Sequence, residues 1–295
     1  MTEEIKNNKL VRLFKSVLET ELPFPGSADK KDEVAQSESS EAEKNASTLK
    51  DLGKLPEEEA LKNIPESQAE FLRAGAHFGH QKSRVHPSMF PFIFGVRNGV
   101  HIIDVEKTVA KVTEATEFLR TIAAAGKQVL FVGTKLPVRD LVRHAAEESG
   151  MPHMIERWPG GVLTNWKTFT QTLEHLMELE EKKKSEEWEK YTKYERLMMD
   201  REINKLELQW GGMKALKRLP DAVVIADANH DNTALKEAKK LKIPVVAIVN
   251  TNVNITLIGY PIPASDNSIP TVRLILEKIS QAIKEGKAQN VSEQK

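Results

Sequence analysis

The sequence contains no cysteine, which excludes disulfide bonds, thiolate metal ligands and cysteine nucleophiles. This composition fits a reducing compartment. The sequence also lacks any apolar run of about 18 residues, so no segment predicts a transmembrane helix. The first residues carry early acidic side chains and no apolar segment, and we therefore expect neither a secretory signal nor a transit peptide.

An excess of either charge sign is also missing, because 43 basic residues balance 43 acidic ones. Over the whole chain, this balance argues weakly against a nucleic-acid partner. The distribution is uneven, however. Residues 1–65 hold 14 acidic and 10 basic side chains, which leaves a net charge of +4 on the remainder. The modest positive charge therefore lies in the part whose composition is typical of a folded domain.

Residues 1–65 are predicted to be an N-terminal extension. Apolar residues recur with helical spacing at Leu10, Leu13, Phe14, Val17 and Leu18, and a segment of very low apolar content follows. We expect an amphipathic helix at about residues 5–20 and then a disordered linker. Two interpretations stay open: the helix docks in a groove of a partner, or the extension is a tail without a specific role.

From Glu66 onward, short apolar runs alternate with helical stretches. The predicted strands include residues 92–95, 100–104, 128–133, 222–227 and 244–250. Continuous apolar strands separated by helices favour a parallel sheet that is covered on both faces. The sequence thus predicts a doubly wound α/β domain formed by residues 66–164 and 211–285, followed by a polar tail at 286–295.

Residues 165–210 interrupt this alternation, because they contain no predicted strand. Apolar residues spaced by three and four recur twice, on either side of an almost wholly charged stretch: Trp166, Phe169, Leu173 and Leu176, then Met199, Ile203, Leu206 and Trp210. This spacing predicts an inserted antiparallel coiled-coil hairpin that projects toward a large partner. The alternative is a pair of helices that packs along the domain.

An enzyme remains an alternative at this point. Ligands of doubly wound sheets bind beyond the carboxyl ends of the strands, where Lys135 follows a predicted strand. Lys135 could bind the phosphate of a small substrate, or it could be an ordinary exposed lysine. The sequence contains no G-x-G-x-x-G, G-x-x-x-x-G-K-[ST] or G-x-S-x-G motif, so no specific signal supports catalysis.

The stretch from His77 to Asp104 contains four histidines together with lysine and arginine residues. His77 and His80 are three residues apart, but no acidic residue is placed to complete a metal site, and no nucleophile accompanies a histidine base. Lys82, Arg84 and Arg97 can contact phosphates, so a basic, loop-rich rim suited to folded RNA is the third interpretation. An ordinary solvated rim is its alternative. Phenylalanines at 90, 92 and 94 alternate as on a strand and are predicted to lie in the core.

Four long motifs resemble one known family. They read AGAHFGHQKSRVHPSMFPFIFGVRNGVHIIDVEKT, QVLFVGTK, RWPGGVLTNWKT and, at residues 219–252, a stretch that begins LPDAVVIAD and ends KEAKKLKIPVVAIVNTN; the likeness covers roughly residues 66–285. In this order they resemble the bacterial small ribosomal subunit protein 2 family. The resemblance implies a flavodoxin-like α/β domain with a protruding coiled-coil hairpin, no catalytic activity, no cofactor and no metal.

The same resemblance implies a ribosome-bound protein of the cytoplasm, with no membrane and no small-molecule substrate. Its implied partners are small-subunit ribosomal RNA, between the head and body of the subunit, and other small-subunit proteins. Among these is the large messenger-binding protein, whose docking the family supports.

The resemblance also groups residues into two signatures. The candidate RNA ligands are the polar and charged side chains in and near them: His77, His80, Lys82, Arg84, His86, Arg97, Asn98, Lys135, Arg157, Asn165 and Lys167. The remaining signature residues are expected to hold the fold: Phe78, Gly79, Trp158, Gly160, Gly161 and Trp166. No residue is expected to be catalytic.

Three features depart from the family pattern. Residues 1–65 precede the point where most members begin. Pro159 stands where an aliphatic residue is usual and would stiffen its loop. After Asn252, the sequence VNITLIGYPIP replaces a commonly acidic, proline-containing turn, which removes negative charge near the carboxyl ends of the predicted strands.

Overall fold

The structure is a computed structural model that describes residues 65–293, with the side chains of residues 186, 187 and 291–293 excepted. The chain divides into two compact units, residues 1–69 and 70–295, and the second contains all the described strands and all but the first of the described α-helices. The amphipathic helix and linker predicted within residues 1–65 lie outside the described residues, except for residue 65 itself. None of the described helices is both long enough and apolar enough to cross a membrane.

The described elements alternate from helix to strand along most of the chain. The strands are β1 (Phe78–Gln81), β2 (Ile93–Arg97), β3 (Val100–Ile103), β4 (Val129–Val132), β5 (His153–Met154), β6 (Ala222–Ile225), β7 (Val245–Val249) and β8 (Tyr260–Pro263). The helices are α1 (Glu66–Arg73), α2 (Val105–Ala124), α3 (Arg139–Ser149), α4 (Trp166–Lys184), α5 (Lys193–Trp210), α6 (Asn232–Lys240) and α7 (Ile269–Glu293).

Five strands form a parallel sheet in the order β5-β4-β6-β7-β8. Counted from β4, this order is 2-1-3-4-5, the order of flavodoxin-like doubly wound sheets, with the switch point between β4 and β6. The predicted doubly wound fold is therefore confirmed. Such a fold places the carboxyl ends of all five strands at one edge, which is called the carboxyl edge below.

Side chains of the parallel strands alternate between two hydrophobic clusters. Val129 and Phe131 of β4 belong to the cluster that α2, α3 and α7 cover, whereas Leu130 and Val132 belong to the cluster on the opposite face. The second cluster is covered by α6 and by the base of α4 and α5. Because both faces are covered, these strands are apolar throughout, which is why they could be recognised in the sequence.

The strands predicted at residues 92–95 and 100–104 lie outside the parallel sheet. They form a separate antiparallel sheet with β1, in the order β1-β3-β2. The expected burial of the phenylalanines is wrong at two positions, since Phe90 is 57% and Phe94 39% exposed. Pro87 and Pro91 place the segment Pro87–Phe92 in a 3-10 helix, and that conformation breaks the two-residue period on which the expectation depended.

The segment 165–210 forms the two predicted helices, α4 and α5. They run antiparallel, as shown by the pairs Lys183–Asp200 at 2.7 Å and His175–Glu202 at 3.2 Å. Near their base, the rings of Phe169 and Trp210 lie 5.0 Å apart. In chain order, these two antiparallel helices lie between β5 and β6.

Two features at the end of the chain differ from the expectation. β8 was missed, because two of its four residues are proline, which is tolerated at the edge of a sheet but obscures a strand in the sequence. α7 was expected to end near residue 284 but continues to Glu293, through most of the predicted polar tail.

Candidate nucleic-acid interface

β1 carries the first signature and lies against the carboxyl edge beside β7. The amide N–H of His80 donates to Oγ1 of Thr251, which follows β7, at 3.0 Å. A Cβ added to Gly79 would lie 2.8 Å from the carbonyl oxygen of His101 and 2.8 Å from Cγ2 of Thr251. Only glycine permits this close approach, so the structure explains why glycine occupies position 79.

The hairpin between β2 and β3 turns through two residues with left-handed backbone conformation, Asn98 (φ 50°) and Gly99 (φ 75°). This is the conformation that a tight two-residue hairpin requires, and Asn-Gly is the sequence that adopts it most readily. Asn98 therefore has a backbone role. Its side chain and that of Arg97 are exposed at the end of the hairpin.

The loop after β1 brings further cations to this hairpin. The amide of Lys82 donates to the carbonyl of Gly99 at 2.8 Å, and the amide of His86 donates to the carbonyl of Thr251 at 2.8 Å. Lys82, Arg84 and Arg97 are exposed, and no carboxylate among the described residues pairs with them. We call these three residues the basic rim.

The histidines of this segment are held differently from the basic rim. Nδ1 of His86 accepts a hydrogen bond from the amide of Ser88 and so caps the 3-10 helix. The ring of His77 lies 4.0 Å from that of Phe78, which is itself 53% exposed. His101 is buried, and the Nδ1 of His80 is also enclosed. Within residues 65–293, no group of three or more metal-binding side chains could hold a metal ion.

Lys135 lies at the carboxyl end of β4, beside the switch point of the sheet. Its ammonium is 2.9 Å from a carboxylate oxygen of Asp227, 3.6 Å from one of Asp266 and 2.9 Å from the side-chain oxygen of Asn267. Burial opposes ionisation of Asp227, but the amide of His230 and the ammonium of Lys135 outweigh it and hold the pKa of Asp227 below its ordinary value. The charge of Lys135 is therefore neutralised inside the protein.

A second buried carboxylate fills the same crevice. Oδ1 of Asp231 accepts a hydrogen bond from the hydroxyl of Thr134 at 2.6 Å, and its Oδ2 accepts one from the amide of Thr134 at 3.2 Å. Burial is the dominant influence and raises the pKa of Asp231. Asp231 and Thr134 thus pair with each other beyond the carboxyl ends of β4 and β6, the position at which small ligands bind in doubly wound enzymes.

The loop of the second signature is organised by Glu237 of α6. Its two carboxylate oxygens accept hydrogen bonds from the amides of Gly161, Leu163 and Thr164. They also accept hydrogen bonds from the hydroxyl of Thr164 and the indole N–H of Trp158. Burial again opposes ionisation, but these hydrogen bonds outweigh it and lower the pKa of Glu237. One carboxylate therefore fixes the path of residues 158–164.

This loop leaves its polar signature residues outside. Arg157, Asn165 and Lys167 are exposed, and the side-chain oxygen of Asn165 accepts a hydrogen bond from Thr168 at 3.1 Å. Trp158 is buried in the loop, whereas Trp166 is partly buried with its ring 5.2 Å from that of Phe169. Gly160 and Gly161 lie in the loop itself, and no neighbouring atom restricts a Cβ at Gly160.

The fold brings most of the candidates to one edge. Arg157 follows β5, Lys135 follows β4 and the basic rim is held at Thr251 after β7. Since neighbouring strands are about 4.8 Å apart, β5 and β7 are separated by about 14 Å. The two signatures therefore flank the crevice at the carboxyl edge.

Sequence reasoning identified no partner for Glu237, Asp231 or Thr251. Each acts on residues distant along the chain, and no local pattern names its partner. Glu237 did carry a signal, because it stands between Ala234 and Ala238 on the apolar face of a predicted helix. A carboxylate on such a face needs buried hydrogen-bond donors.

The described part of the chain is a flavodoxin-like α/β protein whose carboxyl edge carries a lysine paired with buried carboxylates and, beside it, an exposed basic rim. Residues 71–286 match the family model described as Ribosomal protein S2. That match extends over most of the chain. The chain therefore belongs to the ribosomal protein S2 family, a family of structural ribosomal proteins and not of enzymes.

Curated relatives agree with this assignment. A protein of Rhodomonas salina named small ribosomal subunit protein uS2c is 45% identical over 224 residues, which cover 76% of this chain and 92% of that protein. A protein of Roseiflexus sp. (strain RS-1) named small ribosomal subunit protein uS2 is 46% identical over 220 residues, covering 75% and 84%. A third, from Roseiflexus castenholzii, is 45% identical over 221 residues, covering 75% and 84%.

The family assignment confirms the resemblance found in the motifs and the prediction that the chain is not an enzyme. The family assignment supports a ribosome-bound protein, as the resemblance implied. Residues 1–70 precede the matched region, so the family model says nothing about the extension.

Proposed function

We propose that this chain is a structural constituent of the small ribosomal subunit that binds folded ribosomal RNA through the basic rim. The observation that supports the proposal most strongly is the state of these three cations. Lys82, Arg84 and Arg97 are exposed and unpaired within the described residues, although carboxylates pair with many other cations of the molecule. Unpaired cations on a backbone fixed by hydrogen bonds suit phosphate groups.

The geometry of the rim favours folded RNA as the ligand. The cations extend from a tight turn and a short loop that are tied together at Gly99, so they form a compact group. Folded RNA is recognised chiefly by shape and backbone contacts. The exposed ring of Phe78 beside His77 offers a flat surface to an unpaired base.

A second RNA contact is proposed at the second signature and the inserted hairpin. Arg157 and Lys167 lie exposed on either side of the loop that Glu237 organises. We further propose that α4 and α5 pack as a coiled coil. Their inward residues Leu173, Leu176 and Ile203 are buried, which supports a continuous seam along the insertion at residues 165–210.

Protein neighbours form the last part of the proposal. The family resemblance supports contacts with other small-subunit proteins and a role in docking the large messenger-binding protein. The predicted helix at residues 5–20 would add a further docking element, and deletion of residues 1–60 tests it. Retention of every partner after this deletion would end that part of the proposal.

Incorporation into ribosomal subunits tests the RNA contact. Arg84→Glu and Arg97→Glu are expected to reduce the amount of the chain that comigrates with the small subunit in sucrose gradients at low salt, because each removes a phosphate contact and adds a negative charge. Lys240→Glu is the matched control, because Lys240 is exposed at the end of α6, on the opposite edge of the sheet. Normal incorporation of both rim variants would refute RNA contact at the rim.

A further inference from the structure

α5 has two apolar faces on opposite sides. Its inner face, which includes Ile203 and Trp210, packs against α4 and the domain. At 100° per residue, a second row of side chains lies about 180° away. We call it the outer face of α5, and it consists of Tyr194, Leu197, Met198, Arg201, Lys205 and Leu208.

The apolar members of the outer face are strongly exposed. Tyr194 is 70%, Leu197 47%, Met198 45% and Leu208 69% exposed. α4 differs, since the side opposite its buried row contains the polar residues Gln171, Glu174 and Glu178. A surface helix needs one apolar face, and a second one indicates a partner. Both faces of α5 therefore carry apolar side chains that could pack against another element.

The charges of α5 are also divided between its two sides. The acidic side chains of α5 contact other residues of the same chain. Glu195 forms a capping box with Thr192, and Asp200, Glu202 and Glu207 pair with Lys183, His175 and Lys214, in that order. Arg201 and Lys205, at the centre of the outer face, have no carboxylate partner among the described residues. The outer face thus carries two uncompensated positive charges between apolar ends.

We propose that the outer face of α5 docks an acidic amphipathic helix of a neighbouring protein in the small subunit. From Tyr194 to Leu208 the face extends about 21 Å, which matches a partner helix of about four turns. Apolar residues of that helix would cover the two ends, and carboxylates would pair with Arg201 and Lys205. This inference rests on the proposed function, because it requires the chain to be part of the subunit.

Two other occupants fit the face less well. An RNA backbone would satisfy Arg201 and Lys205 but would leave Leu197, Met198 and Leu208 in contact with phosphate and water. A second copy packed antiparallel about Arg201 would bring the two Arg201 side chains together without a carboxylate between them. Charge complementarity therefore favours an acidic protein helix.

Photo-cross-linking in assembled small subunits tests the proposal. The full chain carries the photo-reactive residue p-benzoylphenylalanine in place of Leu208, and mass spectrometry identifies the product. We expect a cross-link to a protein segment with an acidic, amphipathic sequence. The double variant Arg201→Glu/Lys205→Glu should reduce the yield about tenfold, whereas Lys182→Glu/Lys184→Glu on α4 should leave it unchanged.

The outcomes separate this inference from the proposed function. A cross-link to RNA, to a second copy of the chain or to nothing would overturn the docking proposal, even if the chain sediments with the small subunit. Absence of the unmodified chain from the small subunit would instead refute the proposed function. Circular dichroism of both double variants shows whether the hairpin remains helical.

Discussion

The carboxyl edge of the sheet holds cations in two opposite ways. In the crevice, Lys135 lies between Asp227 and Asp266, so its charge is neutralised by the protein. At the basic rim, Lys82, Arg84 and Arg97 are exposed, and no carboxylate within residues 65–293 pairs with them. Both regions belong to the family's motifs, yet only the cation of the crevice is paired with carboxylates of the protein.

This difference teaches that a cation within a motif is not by itself a ligand for RNA. A pair such as Lys135–Asp227 is costly to break, because the buried carboxylate of Asp227 would lose its cation in a site that is only partly solvated. The contacts of an exposed cation such as Arg97 contribute little to the free energy of unfolding. Stability and RNA affinity should therefore respond to different substitutions along the same edge.

The largest effect on stability is expected at Glu237, which organises the loop of the second signature. Glu237→Ala leaves the amides of Gly161 and Leu163 and the indole of Trp158 without their acceptor. We expect the free energy of unfolding to fall by about 3–4 kcal/mol, because several buried donors lose one partner. Urea denaturation of the purified chain measures it.

Glu237→Gln is the matched control for this substitution. It keeps one acceptor oxygen in a side chain of similar size and should cost about 1–2 kcal/mol. Equal stability of Glu237→Ala and the unmodified chain would show that the loop keeps its path without the carboxylate.

A smaller loss is expected at the crevice. Lys135→Met removes the cation shared by Asp227 and Asp266, and we expect about 1–3 kcal/mol of destabilisation, since the site is partly solvated. The double variant Lys135→Met/Asp227→Asn should recover part of this loss. Strictly additive effects in the double-mutant cycle would contradict the pairing.

The pH dependence of stability should separate the buried carboxylates. The pKa of Glu237 is lowered in the folded state, so its contribution is present above the ordinary value of 4.5 and is lost as the pH falls through the lowered pKa. Asp231, whose pKa is raised, acts in the opposite direction. We expect Glu237→Gln to flatten the acid side of the stability curve, and an unchanged slope would contradict this assignment.

Much of the fold could be predicted, because it depends on local patterns. The buried strands β4, β6 and β7 are apolar throughout, and the helix that closes at Gly150 ends there with a left-handed glycine. β8 was missed because Pro261 and Pro263 conceal it. The patterns of proline and apolar residues thus explain why β4, β6 and β7 were predicted and why β8 was missed.

The candidate site was less predictable than the fold, because its geometry depends on distant partners. The motifs indicated Arg97 and Lys135 equally, and only the position of Asp227, 92 residues away, separates them. In the same way, Asn98 remains a candidate ligand with an exposed side chain, and the structure adds that its left-handed backbone conformation forms the turn. Spatial pairing of charges is the information that a single sequence does not contain.

The smallest effect on stability is expected at the basic rim, and one measurement there tests the central claim most directly. Affinity of the purified chain for small-subunit ribosomal RNA is measured against salt for the unmodified chain, Arg97→Ala and Lys135→Met. Arg97→Ala should change unfolding by less than about 0.5 kcal/mol and lower the salt slope by roughly 0.7–0.9, the loss of one phosphate contact. Lys135→Met should leave that slope unchanged. A lower slope for Lys135→Met, together with an unchanged slope for Arg97→Ala, would contradict the division between a neutralised crevice and an RNA-binding rim.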